Sequence, residues 1–316
     1  MLVEKVTDVS VDDLRGLSPL ARKLCELYAR MGGFSSRYVA RAAEVAREMV
    51  SDERCTVFLA FTANLVATGL RGAIAALVRE GLVDAIVTTG GTFDHDIARS
   101  MAPYYRGELE LDDEMLQRLE IHRLGNILVP KESYGPVIEE FTHRMLEELV
   151  KVKDRWTPSE LAREVGVRLK DANSILAAAA ERGVPVFCPG LVDSAFGTAL
   201  FTFREVGRSR GYSLELDVVG DMHRIAELVM ESERLGAIVL GGGISKHHVI
   251  WWAQFKGGLD YAVYITTAVE FDGSLSGART REAISWGKIK PTSKHVTVPA
   301  DATLVFPLIA AALLGG

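Results

Sequence analysis

The feature that most constrains this chain is a recurrence. Short β-rich apolar runs, most ending in glycine or a small polar residue, are each followed by a stretch with helical spacing. Residues 55–61, Cys-Thr-Val-Phe-Leu-Ala-Phe, read as a buried strand, with residues 64–79 as the helix after it. Residues 85–89 form the next strand and stop at Gly90-Gly91. Residues 185–188 stop at Pro189-Gly190, residues 237–240 stop at Gly241-Gly242-Gly243, and residues 261–265 make a further strand. Strands alternating with helices of this length build βαβ units. The expected fold is therefore α/β, a doubly wound, mainly parallel, Rossmann-like sheet. Ligands of such sheets bind beyond the carboxyl ends of the strands, which singles out the loops at residues 62–64, 88–91, 189–193 and 241–245.

Ahead of this pattern, residues 18–31 and 35–49 carry apolar positions at helical spacing, separated by Gly32-Gly33. They predict an N-terminal helical extension over residues 1–51 and a catalytic domain over 52–316. A further helix is expected to begin at Thr157-Pro158-Ser159-Glu160, where Thr157 and Glu160 can form a capping box, and to stop at Glu181-Arg182-Gly183.

Composition narrows the class. With 316 residues, 48% of them hydrophobic and 25% charged, the chain can bury a core without disulfide or metal staples. Its three cysteines, Cys25, Cys55 and Cys188, are odd in number and widely spaced, the pattern of reduced thiols in a cytoplasmic protein rather than a disulfide framework or a metal site. The longest apolar run, residues 304–314, contains Pro307 and is too short to span a bilayer. A net charge of −6 gives no reason to expect a nucleic-acid surface.

Several residues carry possible chemistry. The triple glycine lets a backbone approach a bulky anion, with donors from the helix that follows; a tight turn needed only for packing is the alternative. It matches neither G-x-G-x-x-G nor a Walker loop. His247 and His248 diverge by about 100° on a helix, so at most one faces a strand-end crevice. Glu270, Asp272 and Glu282 supply carboxylates able to hold an ammonium, or simply a solvated surface. Lys288, in Ser285-Trp286-Gly287-Lys288-Ile289, has a partly apolar setting of the kind that frees an amine for Schiff-base chemistry. By residue type alone, Lys290 and Lys294 are equally eligible.

At this point a resemblance enters. The runs Phe187-Cys-Pro189, Gly241-Gly-Gly-Ile-Ser-Lys-His-His248, Asp260-Tyr-Ala-Val-Tyr264, Glu270-Phe-Asp-Gly-Ser274, Ser276-Gly-Ala-Arg279, Ser285-Trp-Gly-Lys-Ile289 and residues 300–308 resemble the deoxyhypusine synthases. Phe61-Thr-Ala-Asn-Leu65 and the Thr88-Thr89 segment extend the match to roughly residues 52–310. The resemblance implies transfer of the aminobutyl group of spermidine, by way of NAD and an imine on an enzyme lysine, to a lysine of the translation initiation factor 5A precursor. It implies Lys288 as nucleophile and His247 near the hydride-transfer centre. For NAD it implies Asn64, Thr89, Asp193, Gly242, Gly243, Thr267, Ala268, Asp272, Asp301 and Ala302. It also implies a homotetramer with shared active sites, in which residues 1–30 cover a neighbour's entrance.

The polyamine end departs from the family pattern. Among the substrate-binding positions Glu282 and Trp286 remain, but Thr198 and Leu275 stand where the family has carboxylates, and Trp251 stands for an asparagine. His95 replaces an acidic residue near the ribose, with Asp94 beside it. Each lost charged hydrogen bond is worth roughly 1.5–3 kcal/mol. Either other acids, Glu270 or Asp221, have moved in, or the substrates differ. The alternatives are a homospermidine synthase-like transferase acting on a free polyamine or agmatine-like donor, and a non-catalytic NAD- or polyamine-binding homologue.

Overall fold

The computed structural model describes residues 4–314, the side chains of Arg208 and Arg210 excepted. Its core is a sheet of six parallel strands. In chain order these are β1 Cys55–Phe61, β2 Ala85–Val87, β3 Val186–Phe187, β4 Arg234–Leu240, β5 Leu259–Thr266 and β6 Ile289–Pro299. Across the sheet they run β6-β5-β4-β1-β2-β3. The chain winds outward from β1 in one direction, returns, and winds outward in the other, so the switch point lies between β1 and β4. The expected doubly wound α/β fold is the observed one.

Burial explains which strands the sequence displays. Residues 57–61 of β1 and 235–240 of β4 are all buried, as continuous apolar runs in a sheet covered on both faces should be. β6 is buried only at Ile289, Val296 and Val298 and carries Lys290, Lys294 and His295, so no apolar run announces it. Its register against β5 jumps from Ile289 opposite Leu259 to Lys294 opposite Tyr261. Residues 105–106, 121–124 and 127–130 form a separate three-stranded sheet with no apolar alternation long enough to read.

The helices Val11–Met31 (α1) and Phe34–Ser51 (α2) form one layer of the same core. Leu14, Ala21, Val39, Ala42, Val45, Ala46 and Met49 are buried in the cluster that includes β1 and the helix Ala302–Leu314. α1 starts earlier than residue 18 because Ser10 and Asp13 make a reciprocal capping box. The segment before it is fastened to its own chain. Val6 N donates to Tyr104 O and Val9 N to Gly69 O. The Asp8 carboxylate lies 3.2 Å from Arg71 and 2.9 Å from Arg99. Residues 6–9 are thus tied to their own chain, while Leu17, Leu20, Leu27 and Met31 of α1 remain exposed; residues 1–3 lie outside the described residues.

The helix expected from Thr157 to Arg182 is two helices, Pro158–Gly166 and Ile175–Arg182. The Thr157–Glu160 capping box and the left-handed stop at Gly183 are both present. Between them Asp171 accepts from Asn173 N, and Ser174 caps the second helix through Ala177 N, local bonds that compete with a continuous helix. Among the described residues no helix is long and apolar enough to cross a membrane.

Candidate active site

All six strands end on one edge, and their end loops touch. A Cβ on Gly241, whose φ is +89°, would sit 3.0 Å from Thr62 Oγ1, joining the ends of β4 and β1 at the switch point. Thr89 Oγ1 accepts from Ala63 N at 3.1 Å, joining β2 to β1. Gly242 has no room for a side chain: its Cβ would lie 2.5 Å from Ser276 Cα. Ser276 Oγ accepts from Gly243 N at 3.1 Å, so the loop after β5 lies across the triple glycine.

That loop is clamped by a residue the sequence did not single out. Lys246 is 1% exposed, and its Nζ donates to Leu275 O at 2.8 Å and Ala278 O at 2.5 Å while standing 4.5 Å from the Tyr264 ring centre. Burial pushes its ammonium down to about 8, with Glu282 working in the opposite direction. Lys246 occupies the buried face of the helix Gly243–Ala253 with Val249, Ile250 and Ala253. A charged residue in that i, i+3, i+4, i+7 stripe was the available signal.

Lys288 enters from the other direction. It immediately precedes β6, whose first residue pairs with the first residue of β5, so its backbone lies at the amino ends of the strands. Lys288 N donates to Ala283 O, and Lys288 O accepts from Leu259 N. The residue is 7% exposed. Its Nζ is 3.5 Å from His247 Nε2, the outer limit of a hydrogen bond, and lies 5.1 Å and 5.8 Å from the ring centres of Trp286 and Trp251. Trp251 stacks on His247 at 5.6 Å and 29°. Burial, and then the neighbouring Lys288 charge, hold His247 below the ordinary histidine range. His248 points away against Trp252, and burial lowers it to about 4. Lys290 and Lys294 are distinguished from Lys288 by partners: Lys290 pairs with Asp260 and Lys294 with Glu48, whereas Lys288 has no carboxylate partner among the described residues.

Other expected positions fall in two groups. Asn64, Thr89 and Asp193 follow β1, β2 and β3, while Gly242, Gly243, Thr267, Ala268, Asp272, Asp301 and Ala302 follow β4, β5 and β6. Asp193 and Asp272 are exposed and pair with no cation among the described residues, and two bonds from Ser274 hold Asp272 low. Asp301 is engaged by Thr303 at the start of the helix Ala302–Leu314. Glu282 and Trp286 shortly precede Lys288 in sequence and are exposed. Leu275 instead packs half-buried on the second apolar cluster. Thr198 lies in the helix Ala195–Arg210 after β3, whose preceding loop reaches the β4 end: a Cβ on Gly190 would sit 3.6 Å from Ile244 Cδ1.

The proposed substitutes for lost acids do not stand free. Asp94 is 1% exposed and accepts from Ala195 N, Phe196 N and Tyr134 Oη, capping the helix Ala195–Arg210. Asp221 is buried against Ser159, and Glu270 is paired with Arg281. His95 is turned toward Tyr104.

A family model described as deoxyhypusine synthase matches residues 23–313. The chain belongs to the deoxyhypusine synthase family. It is 50% identical over 316 residues to a "Probable deoxyhypusine synthase" of Sulfurisphaera tokodaii, covering 100% of this chain and 98% of that one. A protein of the same description from Ignicoccus hospitalis is 52% identical, covering 98% and 96%. Among solved structures, one described as "a putative deoxyhypusine synthase from Entamoeba histolytica" is similar with a TM-score of 0.63 and 27% identity, covering 92% of this chain and 91% of that one.

Proposed function

We propose that this member of the family acts as a deoxyhypusine synthase, an NAD-dependent aminobutyl transferase that carries its cargo on Lys288. The observation that carries the reading is the contact between Lys288 and His247. A buried lysine without a carboxylate partner stands within reach of an imidazole kept neutral by burial and by the lysine's own charge. A neutral imidazole takes the proton that must leave an ammonium before its nitrogen can attack.

The strand-end loops fit a dinucleotide. Asp193 and Asp272 offer exposed carboxylates without a cation partner, suited to ribose hydroxyls, Gly243 has open space where a side chain would be, and Asn64, Thr89, Gly242, Thr267, Ala268, Asp301 and Ala302 complete the set. When bound, NAD supplies the hydride acceptor and later the hydride donor. Lys288 Nζ attacks the imine carbon of the oxidised donor, the donor's remaining amine leaves, and the aminobutyl group stays on Lys288 as an imine. A lysine of the translation initiation factor 5A precursor then displaces Lys288. His247 is the group that moves protons at Lys288 Nζ, and Trp251 and Trp286 offer aromatic faces to a donor cation.

A homotetramer belongs to the same proposal. It rests on the family membership, since the relatives match this chain over nearly its whole length. Phe271, Trp286 and Phe255 are 91%, 65% and 57% exposed near the Lys288 and His247 elements, a surface suited to a contact between chains. A cytoplasmic location is part of this reading. The second reading, transfer to a free polyamine or from an agmatine-like donor, is favoured by Leu275 packing half-buried on the apolar cluster and by Asp221 and Glu270 being engaged with Ser159 and Arg281.

The deciding experiment supplies the protein with NAD, labelled spermidine and either factor 5A precursor or putrescine. Label in the factor is the expected result; label only in homospermidine rejects the first reading in favour of the second. Borohydride added with NAD and spermidine is expected to fix a mass increase on Lys288. No adduct at saturating donor would leave a binding protein without turnover.

A further inference from the structure

Between α2 and the outer strand β6 lies a cavity of about 580 Å3 that none of the cofactor or donor positions lines. Arg37 and Arg41 reach it from α2, Arg279 and Arg281 from the start of the helix Thr280–Ser285, and His295 from β6. No Asp or Glu lines it. Arg41 has one carboxylate partner, Glu44 at 2.8 Å, and Arg281 has one, Glu270 at 2.5 Å. Arg37 forms no ion pair among the described residues. Arg279 spends Nη2 on Ala268 O at 3.2 Å, and its Nη1 is buried with no hydrogen-bond partner.

This arrangement is costly unless something answers it. Arg37 and Arg41 stand one helical turn apart, where like charges repel, and two more guanidinium groups face them across the cavity. An unpaired buried N–H adds the desolvation cost of a group that has lost water and gained nothing. A chain with net charge −6 has carboxylates to spare, yet none lines this wall. Guanidinium forks match the oxygens of a phosphate group bidentately, and a cavity of this volume falls in the range for one small molecule, about 300–1,000 Å3.

We infer that this cavity binds a small multivalent oxyanion, a phosphate or pyrophosphate group, held by Arg37, Arg41, Arg279 and Arg281. Arg279 and Arg281 also hold Ala268 and Glu270 of the loop after β5, so the anion would sit behind that loop rather than among the strand ends.

Calorimetric titration of the full chain at low salt with inorganic phosphate, pyrophosphate and ADP tests this, with NAD at saturation so that the strand-end loops are filled. One site per chain is expected, with pyrophosphate tighter than phosphate. ADP binding tighter than pyrophosphate would assign the anion to a nucleotide whose ring uses Tyr38. Arg37→Ala should weaken binding by about tenfold or more, and Arg37→Lys should weaken it less, while the unliganded Tm stays level or rises as repulsion is relieved. No binding of any of the three anions overturns the inference, as does binding unchanged in both Arg37→Ala and Arg41→Ala. A smaller oligomer in Arg37→Ala without any anion binding would assign the arginines to a contact between chains and equally overturn it. If NAD itself fails to bind, the same titrations without it still read the cavity through Arg37, separately from the reading of Lys288.

Discussion

At the scale of single residues, partners decide chemistry. Three lysines close in sequence are alike on paper, and only the folded chain shows that Lys290 and Lys294 are neutralised while Lys288 faces an imidazole. Lys288→Arg keeps a cation but no nucleophilic amine, so the borohydride-trapped adduct should vanish while NAD still quenches tryptophan fluorescence. His247→Gln should lower turnover by about 10²–10⁴-fold, the usual range for a lost acid–base group. Because burial keeps this imidazole below the ordinary histidine range, the wild-type rate should fall only when pH drops beneath that range, and the variant's profile should lose that limb. Lys246 yields a stability prediction. Its ammonium is lowered in the folded state from 10.5 to about 8, so between those values the unfolded chain binds more protons and stability rises with pH. Lys246→Met should lack that rise in urea titrations made across the interval.

Elements were legible where burial wrote a pattern and illegible where local bonds or solvent overrode it. β1 reads at its observed bounds, Cys55–Phe61, because its side chains meet cover on both faces. β6 is an edge strand with charged residues along it, and its polar sequence hides it. The break between Gly166 and Ile175 rests on Asp171 and Ser174 bonding their own neighbours, which periodicity does not see. For the candidate site, motif resemblance named Lys288 and His247, but not the clamp by Lys246 or the packing of half-buried Leu275 against the apolar cluster. Those depend on how the loop after β5 folds over the glycines, a contact remote in sequence. Gly242→Ala tests that contact. Its methyl would press on Ser276 backbone, costing about 1–3 kcal/mol in denaturant unfolding and loosening NAD in a binding titration.

For the whole molecule, the N-terminal segment is bound in by charge. Asp8 serves both Arg71 and Arg99, each nearly fully buried, and Arg71 also meets Asp96 and Asp171. Asp8→Ala leaves two buried guanidinium groups short of a partner and should cost about 3–5 kcal/mol, measured by urea unfolding, with early proteolysis ahead of α1. The two rims of the sheet have a consequence for assembly. β3 is only two residues long, and β6 breaks step with its neighbour between Ile289 and Lys294 and carries the ion-paired Lys290 and Lys294. A template for adding strands needs length, regular step and little charge, and neither rim has all three. Copies of this chain are therefore steered away from joining sheet to sheet into open-ended ribbons, and toward associating through their helical and loop faces, where an assembly can close on itself.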